Sequence, residues 1–430
     1  MSIQTPRRGF PFLHWAWLGL LVLLAGCAAL APEPERERHR QAGLAIQAVY
    51  EAALPELPPN KQRHYAQRLY RITGDDRYLE LNREYGQRLL QQLDEEIAGL
   101  ADPGHAAERS REIVEAYSQR TAKQRARRKM LADWGEIAFA KQLLFRLVQA
   151  EYHGLLPEIE NLERAREYLA GVDWRPFFVD PEVMRIYAAQ VANQVMFLHQ
   201  LGIADLRREV VEAFRRQYPA GSTRQLSEQE YRNKLYGMTH FVIAASRYYQ
   251  QRVDAEEFAW VLEAFERDIE GILARATEDI QAEVALSFLL AGREEHPVVN
   301  RVSDALVAAI DPAAGMIPSP SGSTDLARGE HRNVLAIMVL RWPETLYAGP
   351  HLSVSGSLHE QVMRLSPRIA AGEAWRPRVE EKAAALCVDK VASTLHASPF
   401  RPAAGRCRRP PSGHGSRSGR RPAGSSTLIS

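Results

Sequence analysis

The sequence predicts an all-α protein, and three observations carry that reading. Apolar residues recur at helical spacing from about residue 39 to 370, and strand-like alternation is nearly absent. The breaks fall at turn chemistry: Pro58-Pro59-Asn60, Thr73-Gly74-Asp75, Asp102-Pro103-Gly104, Asp180-Pro181, Pro219-Ala220-Gly221 and Gly292. Every second helix is also poor in charge, which suits helices walling an enclosed centre. The expected architecture is an (α/α) toroid of about six helical hairpins, with an open α-solenoid as the alternative.

Taken in order, the periodicity places helices at about 39–54, 61–73, 76–100, 105–128, 129–151, 158–170, 181–201, 204–218, 228–250, 255–273, 276–291, 296–310, 329–341 and 356–367. Ser227 and Glu230 have the spacing of a capping box that opens the helix after it. The charge-poor helices are 129–151 in part, 181–201, 228–250, 276–291 and 329–341, and counting 61–73 as the first gives six pairs. Between them lie charge-laced helices such as Arg207 to Arg216. The turn Arg71 to Leu79 (RITGDDRYL) resembles the inter-helix turn of six-hairpin toroids in carbohydrate-active proteins.

Composition and charge exclude several classes. The 430 residues are 45% hydrophobic and 25% charged, so disorder throughout, collagen-like repetition and a disulfide-dense scaffold are excluded. The net charge of +2 is unevenly spread. Residues 1–26 carry +2 and residues 383–430 carry +7; removing both from the total leaves −7 for the body, 27–382. An acidic body is a poor match to a phosphate backbone, and no nucleic-acid partner is expected.

The N-terminus reads as an address. Arg7 and Arg8 precede an apolar stretch from about Trp15 to Ala25, with small residues just before Cys27. Leu24-Ala25-Gly26-Cys27 resembles the lipobox of bacterial lipoproteins. That resemblance implies a signal peptide over 1–26, acylation of Cys27, and a membrane-lipid partner through it. Ala28 in place of Asp implies the outer membrane, by likeness to Gram-negative lipoproteins. Residues 27–38, ending in the Pro- and charge-rich Ala31 to Arg38, are expected to be a tether to a single all-α domain over 39–370. The remaining cysteines, Cys387 and Cys407, lie in the Arg-, Pro-, Gly- and Ser-rich stretch 371–430, whose composition is that of a disordered or frameshifted end.

Three polar stretches inside apolar helices are the candidate site. Tyr236, His240 and Arg247 are spaced to share a helix face beside Ile243. Asp279, Glu283 and Ser287 lie four apart, and the apolar neighbours of Glu283 are the context for a raised carboxylate pKa. Glu330, His331, Arg332 and Asn333 cluster at a helix start. In a toroid such residues converge on one mouth of the centre. Glu283 and His240 are the acid/base candidates, and Tyr236, Arg247, Asp279, Glu330, His331, Arg332 and Asn333 the substrate-positioning ones. His240, Glu283 and His331 are also the donor types of a two-histidine, one-carboxylate metal site; the acid/base reading is adopted, with no metal and no cofactor expected. No carboxylate pair has the context of a glycosidase.

The long Pro-, Gly- and Ser-rich connection Asp311 to Leu326 is expected to be a binding loop or a surface excursion. Tyr347 to His351 is expected to pack over the same mouth.

Gly237-Met238-Thr239-His240, Ala282-Glu283-Val284 and Gly329 to Ala336 (GEHRNVLA) resemble the bacterial domain of unknown function 3541, also found in exported lipoproteins, most clearly over about 200–370. That resemblance implies no particular activity. The expectation is therefore a lipid-anchored envelope protein whose polar cavity binds or processes a glycan or another small polar envelope metabolite. The alternative is a non-catalytic envelope scaffold that docks other proteins.

Overall fold

A computed structural model describes residues 33–352. The signal peptide, Cys27, the helix expected at 356–367 and the C-terminal tail lie outside the described residues. Among those described, sixteen α-helices form the body and no strand occurs beyond one isolated bridge between Asp311 and Met316.

The helices are α1 (Glu33–Ala53), α2 (Pro59–Thr73), α3 (Leu79–Gly99), α4 (His105–Ala116), α5 (Ala122–Ala132), α6 (Ile137–Tyr152), α7 (Leu162–Gly171), α8 (Trp174–Val179), α9 (Pro181–Gln200), α10 (Arg207–Gln217), α11 (Glu228–Ala245), α12 (Ala259–Arg267), α13 (Ile269–Arg275), α14 (Glu278–Leu290), α15 (Pro297–Ala308) and α16 (Leu326–Leu340). The first begins at Glu33, so the last residues of the expected tether are already helical.

Local chemistry explains the boundaries that periodicity misplaced. The span 105–128 is two helices, because Thr121 and Gln124 form a full capping box that starts α5 afresh. The next helix waits until Ile137, after a turn in which Gly135 takes φ +53°. The span 228–250 stops at Ala245, and Arg247, Tyr248 and Tyr249 follow with φ of 55°, 57° and 69°. Ser246 holds that turn: its hydroxyl donates to the Ile243 carbonyl and accepts from the Tyr249 amide. At Asp268 (φ −112°, ψ 14°) the span 255–273 divides into α12 and α13. The capping box at Ser227 and Glu230 is present as expected.

Charge-poor helices are the buried ones. In α14 every residue from Ile280 to Leu290 is buried, and in α16 every residue from Gly329 to Leu340 is buried except His331. By contrast α10 buries only Val210, Ala213 and Phe214. The buried helices contact one another in series: α6 packs on α9, α9 on α11, α11 on α14, α14 on α16, and α16 on α2. Helix α16 also packs along α1. Gln67 of α2 donates to Gln149 of α6 at 3.4 Å. The α9–α11 contact is the most extensive, and Gly237 permits it. A Cβ there would meet Phe214 Cε2 at 2.6 Å and Ala188 Cβ at 2.9 Å.

Candidate functional site

Glu283 sits in the second turn of α14, 2% exposed. Its Oε2 accepts a hydrogen bond from Thr239 Oγ1 at 2.7 Å. Its Oε1 lies 3.7 Å from His240 Nε2 and 3.8 Å from His331 Nε2. Three residues placed on α11, α14 and α16 by sequence alone thus meet at one carboxyl oxygen.

Burial sets their protonation. It pushes the Glu283 carboxyl up to about 8, and Asp279 nearby adds to the effect. Burial takes His240 down to about 3, reinforced by His331, and takes His331 down to about 3, reinforced by His64. His240 Nδ1 lies 2.9 Å from Asn193 Oδ1, an acceptor, so the ring proton sits on Nδ1. The Nε2 lone pair therefore faces Glu283. Near neutral pH a protonated carboxyl stands against two neutral imidazoles, a set that can give a proton at one point and take one at another.

Asp279 and Tyr236 flank this centre, the Tyr236 hydroxyl donating to Asp279 Oδ2. Burial alone would raise Asp279, but His331, Thr277, Tyr236 and Arg332 outweigh it and hold the carboxyl below its usual range. Ser287 turns away, its hydroxyl donating to the Glu283 carbonyl at 2.8 Å.

The α16 start divides its labour. Glu330 is fully buried; its Oε1 takes His64 Nδ1 at 2.6 Å and its Oε2 lies 3.3 Å from Lys61 Nζ. It therefore ties α16 to α2. Asn333 Nδ2 donates to the carbonyls of Ile317 (2.9 Å) and Gly329 (3.0 Å), and its Oδ1 accepts the Ile317 amide at 2.8 Å. Arg332 donates to the Pro318 carbonyl at 3.0 Å and lies 3.1 Å from Glu278. Those two residues brace the 311–325 connection, which is anchored by buried Met316 and Ile317.

Two expectations are corrected. Arg247 shares no helix face with Tyr236 and His240, because α11 ends at Ala245; its guanidinium pairs with Glu151 at the end of α6. Tyr347 to His351 does not pack at the helix ends where the 311–325 connection lies. Arg71 Nε donates to the Gly349 carbonyl at 3.0 Å, the Tyr347 amide bonds the Arg71 carbonyl, and His153 Nδ1 meets the Pro350 carbonyl at 2.9 Å. Those partners lie at the carboxyl ends of α2 and α6, whereas Arg332 and Asn333 lie in the amino-terminal half of α16.

Sequence reasoning missed the cations. On α2, Arg68 is 4% exposed, with its guanidinium 5.8 Å from the Tyr248 ring and 5.5 Å from the Tyr249 ring. Among the described residues it forms no ion pair, and its Nε makes no hydrogen bond. Lys123 of α5 lies 4.9 Å from the Tyr236 ring, and burial, then Arg127, pushes its ammonium down to about 8. The available signal was His64, Arg68 and Arg71 at spacings of four and three, on a helix already counted as interior. Two further buried atoms here also lack partners, His64 Nε2 and His331 Nδ1, on rings whose centres lie 5.3 Å apart.

Among the described residues, no set of three or more His, Cys, Asp or Glu side chains is arranged to hold a metal ion. No described helix is long and apolar enough to cross a membrane.

The fold and site together define an all-α protein with a buried histidine–carboxylate centre. The family model for a domain of unknown function, DUF3541, matches residues 39–367, and the chain belongs to that family. No curated protein and no solved structure matches the chain.

Proposed function

We propose that the body closes into an (α/α) toroid whose polar centre binds and processes a glycan or another polar envelope metabolite. Glu283 acts as the proton donor and His240 as the proton acceptor. The chain is held at the outer membrane, facing the periplasm, through acylated Cys27.

One observation carries this reading. A buried carboxyl kept protonated to about pH 8 lies within 4 Å of two neutral imidazoles, among polar atoms that lack partners. Ring closure is supported by the packing of α16 on both α1 and α2. A docking scaffold would satisfy its buried polar groups internally and show apolar surface outside. Yet among the described residues the one large apolar side chain that is exposed is Tyr347.

The chemistry follows from the geometry. A substrate hydroxyl beside Glu283 and His240 would meet a proton donor in the one and a lone pair that can take its proton in the other. Asp279, kept ionised, would orient the Tyr236 phenol beside it. Full-length protein in detergent, incubated with oligosaccharides released from envelope fractions, should yield a product visible by mass spectrometry. Glu283→Gln should abolish that product without unfolding the protein, and an unchanged yield would refute the assignment. Cys27→Ser should stop incorporation of labelled fatty acid and release the protein from membranes; retention of the label would refute the anchor.

A further inference from the structure

Beside the acid/base centre lies a group of cations that the proposed chemistry does not use. Lys123 and Arg127 stand four apart on α5, on the same face. Lys141 comes from α6. Arg127 Cζ lies 5.0 Å and Lys141 Nζ 5.3 Å from the centre of one ring, that of Tyr187, while Lys123 stands over Tyr236. Arg127 is 6% exposed and Lys141 5% exposed, and Arg127 Nε has no hydrogen-bond partner.

Among the described residues none of the three has a carboxylate within ion-pair distance, although twenty-three arginine or lysine pairs with carboxylates occur elsewhere; Asp279 favours the charge on Lys123 only from beyond that distance. The contrast with Glu330, matched by Lys61 and His64, is plain. Buried charges are normally paired, because an isolated one loses its hydration without return. Three like charges close together add mutual repulsion; the charge of Arg127 reaches both Lys123 and Lys141. Tyrosine faces meet only part of that loss. Such a cluster is stable in its surroundings when an anion joins it.

We propose that Lys123, Arg127 and Lys141 form an anion subsite beside Glu283 and His240, so that the ligand of the central site is an acidic saccharide rather than a neutral one. The anionic group is a carboxylate, sulfate or phosphate; all three accept the directed hydrogen bonds a guanidinium offers. The subsite adjoins the reacting groups through Tyr236, which touches both Lys123 and Asp279. This inference rests on the reading of the interior as a glycan site.

The test is calorimetric titration of the full-length protein with a galacturonate trimer, the matching neutral galactose trimer, inorganic phosphate and inorganic sulfate. The galacturonate trimer should bind at least tenfold tighter than the neutral one, and its affinity should fall with added salt. Arg127→Gln and Lys141→Gln should each weaken it tenfold or more, while the melting temperature of the free protein stays level or rises. Phosphate or sulfate binding that Arg127→Gln abolishes would equally support the subsite, and assign it to phosphorylated or sulfated ligands. Equal affinity for acidic and neutral trimers with no Arg127-dependent binding of phosphate or sulfate, or wild-type binding by both variants, would overturn it. Failure of the two readings is distinguishable. If Arg127-dependent binding persists while Glu283→Gln leaves processing unchanged, only the acid/base assignment falls. If Glu283-dependent processing acts on neutral glycans and the cation variants change nothing, only the anion subsite falls.

Discussion

Replacing Glu283 by glutamine should stabilise the protein, and by an amount that depends on pH. The carboxyl is 2% exposed, and burial moves it from an ordinary 4.5 to about 8. Its folded-state pKa is raised, so the native state holds a proton that the unfolded chain releases above pH 4.5. The stabilising contribution is complete below that value and is lost as the pH rises to 8. Each pH unit in this window is a factor of ten in the folding equilibrium, so the whole window is worth about 5 kcal/mol at most. Glutamine resembles the protonated carboxyl, keeps an oxygen for Thr239 Oγ1, and has no proton to lose.

Urea unfolding at pH 5, 7 and 8.5 reads the effect. Wild type and E283Q should lie within about 1 kcal/mol near pH 5, diverge by about 3 kcal/mol at pH 7, and reach their full separation at pH 8.5. His240 and His331 act in the opposite direction. Their folded-state values lie near 3, so their contribution is present above about 6.5 and is lost toward acid. Both proteins share it, and it cancels in the difference. A difference that is flat with pH would refute the protonated carboxyl. So would a variant less stable than wild type at pH 7, the result expected if Glu283 were ionised against an imidazolium.

Four further substitutions test the frame around the site. Asn333→Ala leaves the Ile317 amide and carbonyl buried without partners; it should cost about 2–3 kcal/mol and speed hydrogen exchange at the Ile317 amide. Gly237→Ala drives a methyl into Phe214 and Ala188, and should cost about 1–3 kcal/mol by thermal unfolding, with no change if α9 and α11 are further apart. Arg71→Met removes the donors to the Gly349 and Tyr248 carbonyls, and should destabilise by about 1–3 kcal/mol while exposing residues 347–352 to protease. Arg68→Met, at a cation without an ion pair, should leave stability level or higher, and the contrast between these two arginines is the measurement.

The fold was legible where one property decided it. Charge depletion marked α9, α11, α14 and α16 as interior, because a side chain that must leave water is rarely charged. Turn chemistry placed most ends within a few residues. The breaks before Thr121 and after Ala245 were hidden for a different reason. Hydrophobic spacing continues through both, and backbone conformation overrides it through the Thr121–Gln124 capping box at one and the Ser246 hydroxyl at the other. The short helix α8 also escaped, since six residues are too few to show a period.

The site divides along the same line. His240, Glu283 and His331 were legible because a lone ionisable residue in an apolar helix is conspicuous. Arg127 was not, because a basic residue in a helix of mixed composition reads as solvent-facing; Arg68 and Lys141 lie on helices read as interior, and were passed over although the same signal was there. What conceals Arg127 in the sequence is what gives it meaning in the fold. A helix such as α5, with five basic residues in eleven, looks like a surface helix, yet it turns Arg127 inward while Arg125 and Lys129 remain outside. Turning a cation inward without an acid opposite is unfavourable unless something else supplies the negative charge. The interior therefore has two chemistries side by side. Glu283 and its imidazoles are uncharged near neutral pH and suited to moving protons, whereas the cation group holds its charge and is suited to holding an anion in place. A neutral ligand would use only the first. On the proposed reading, the second has a physical reason to persist because the ligand brings a negative charge with it.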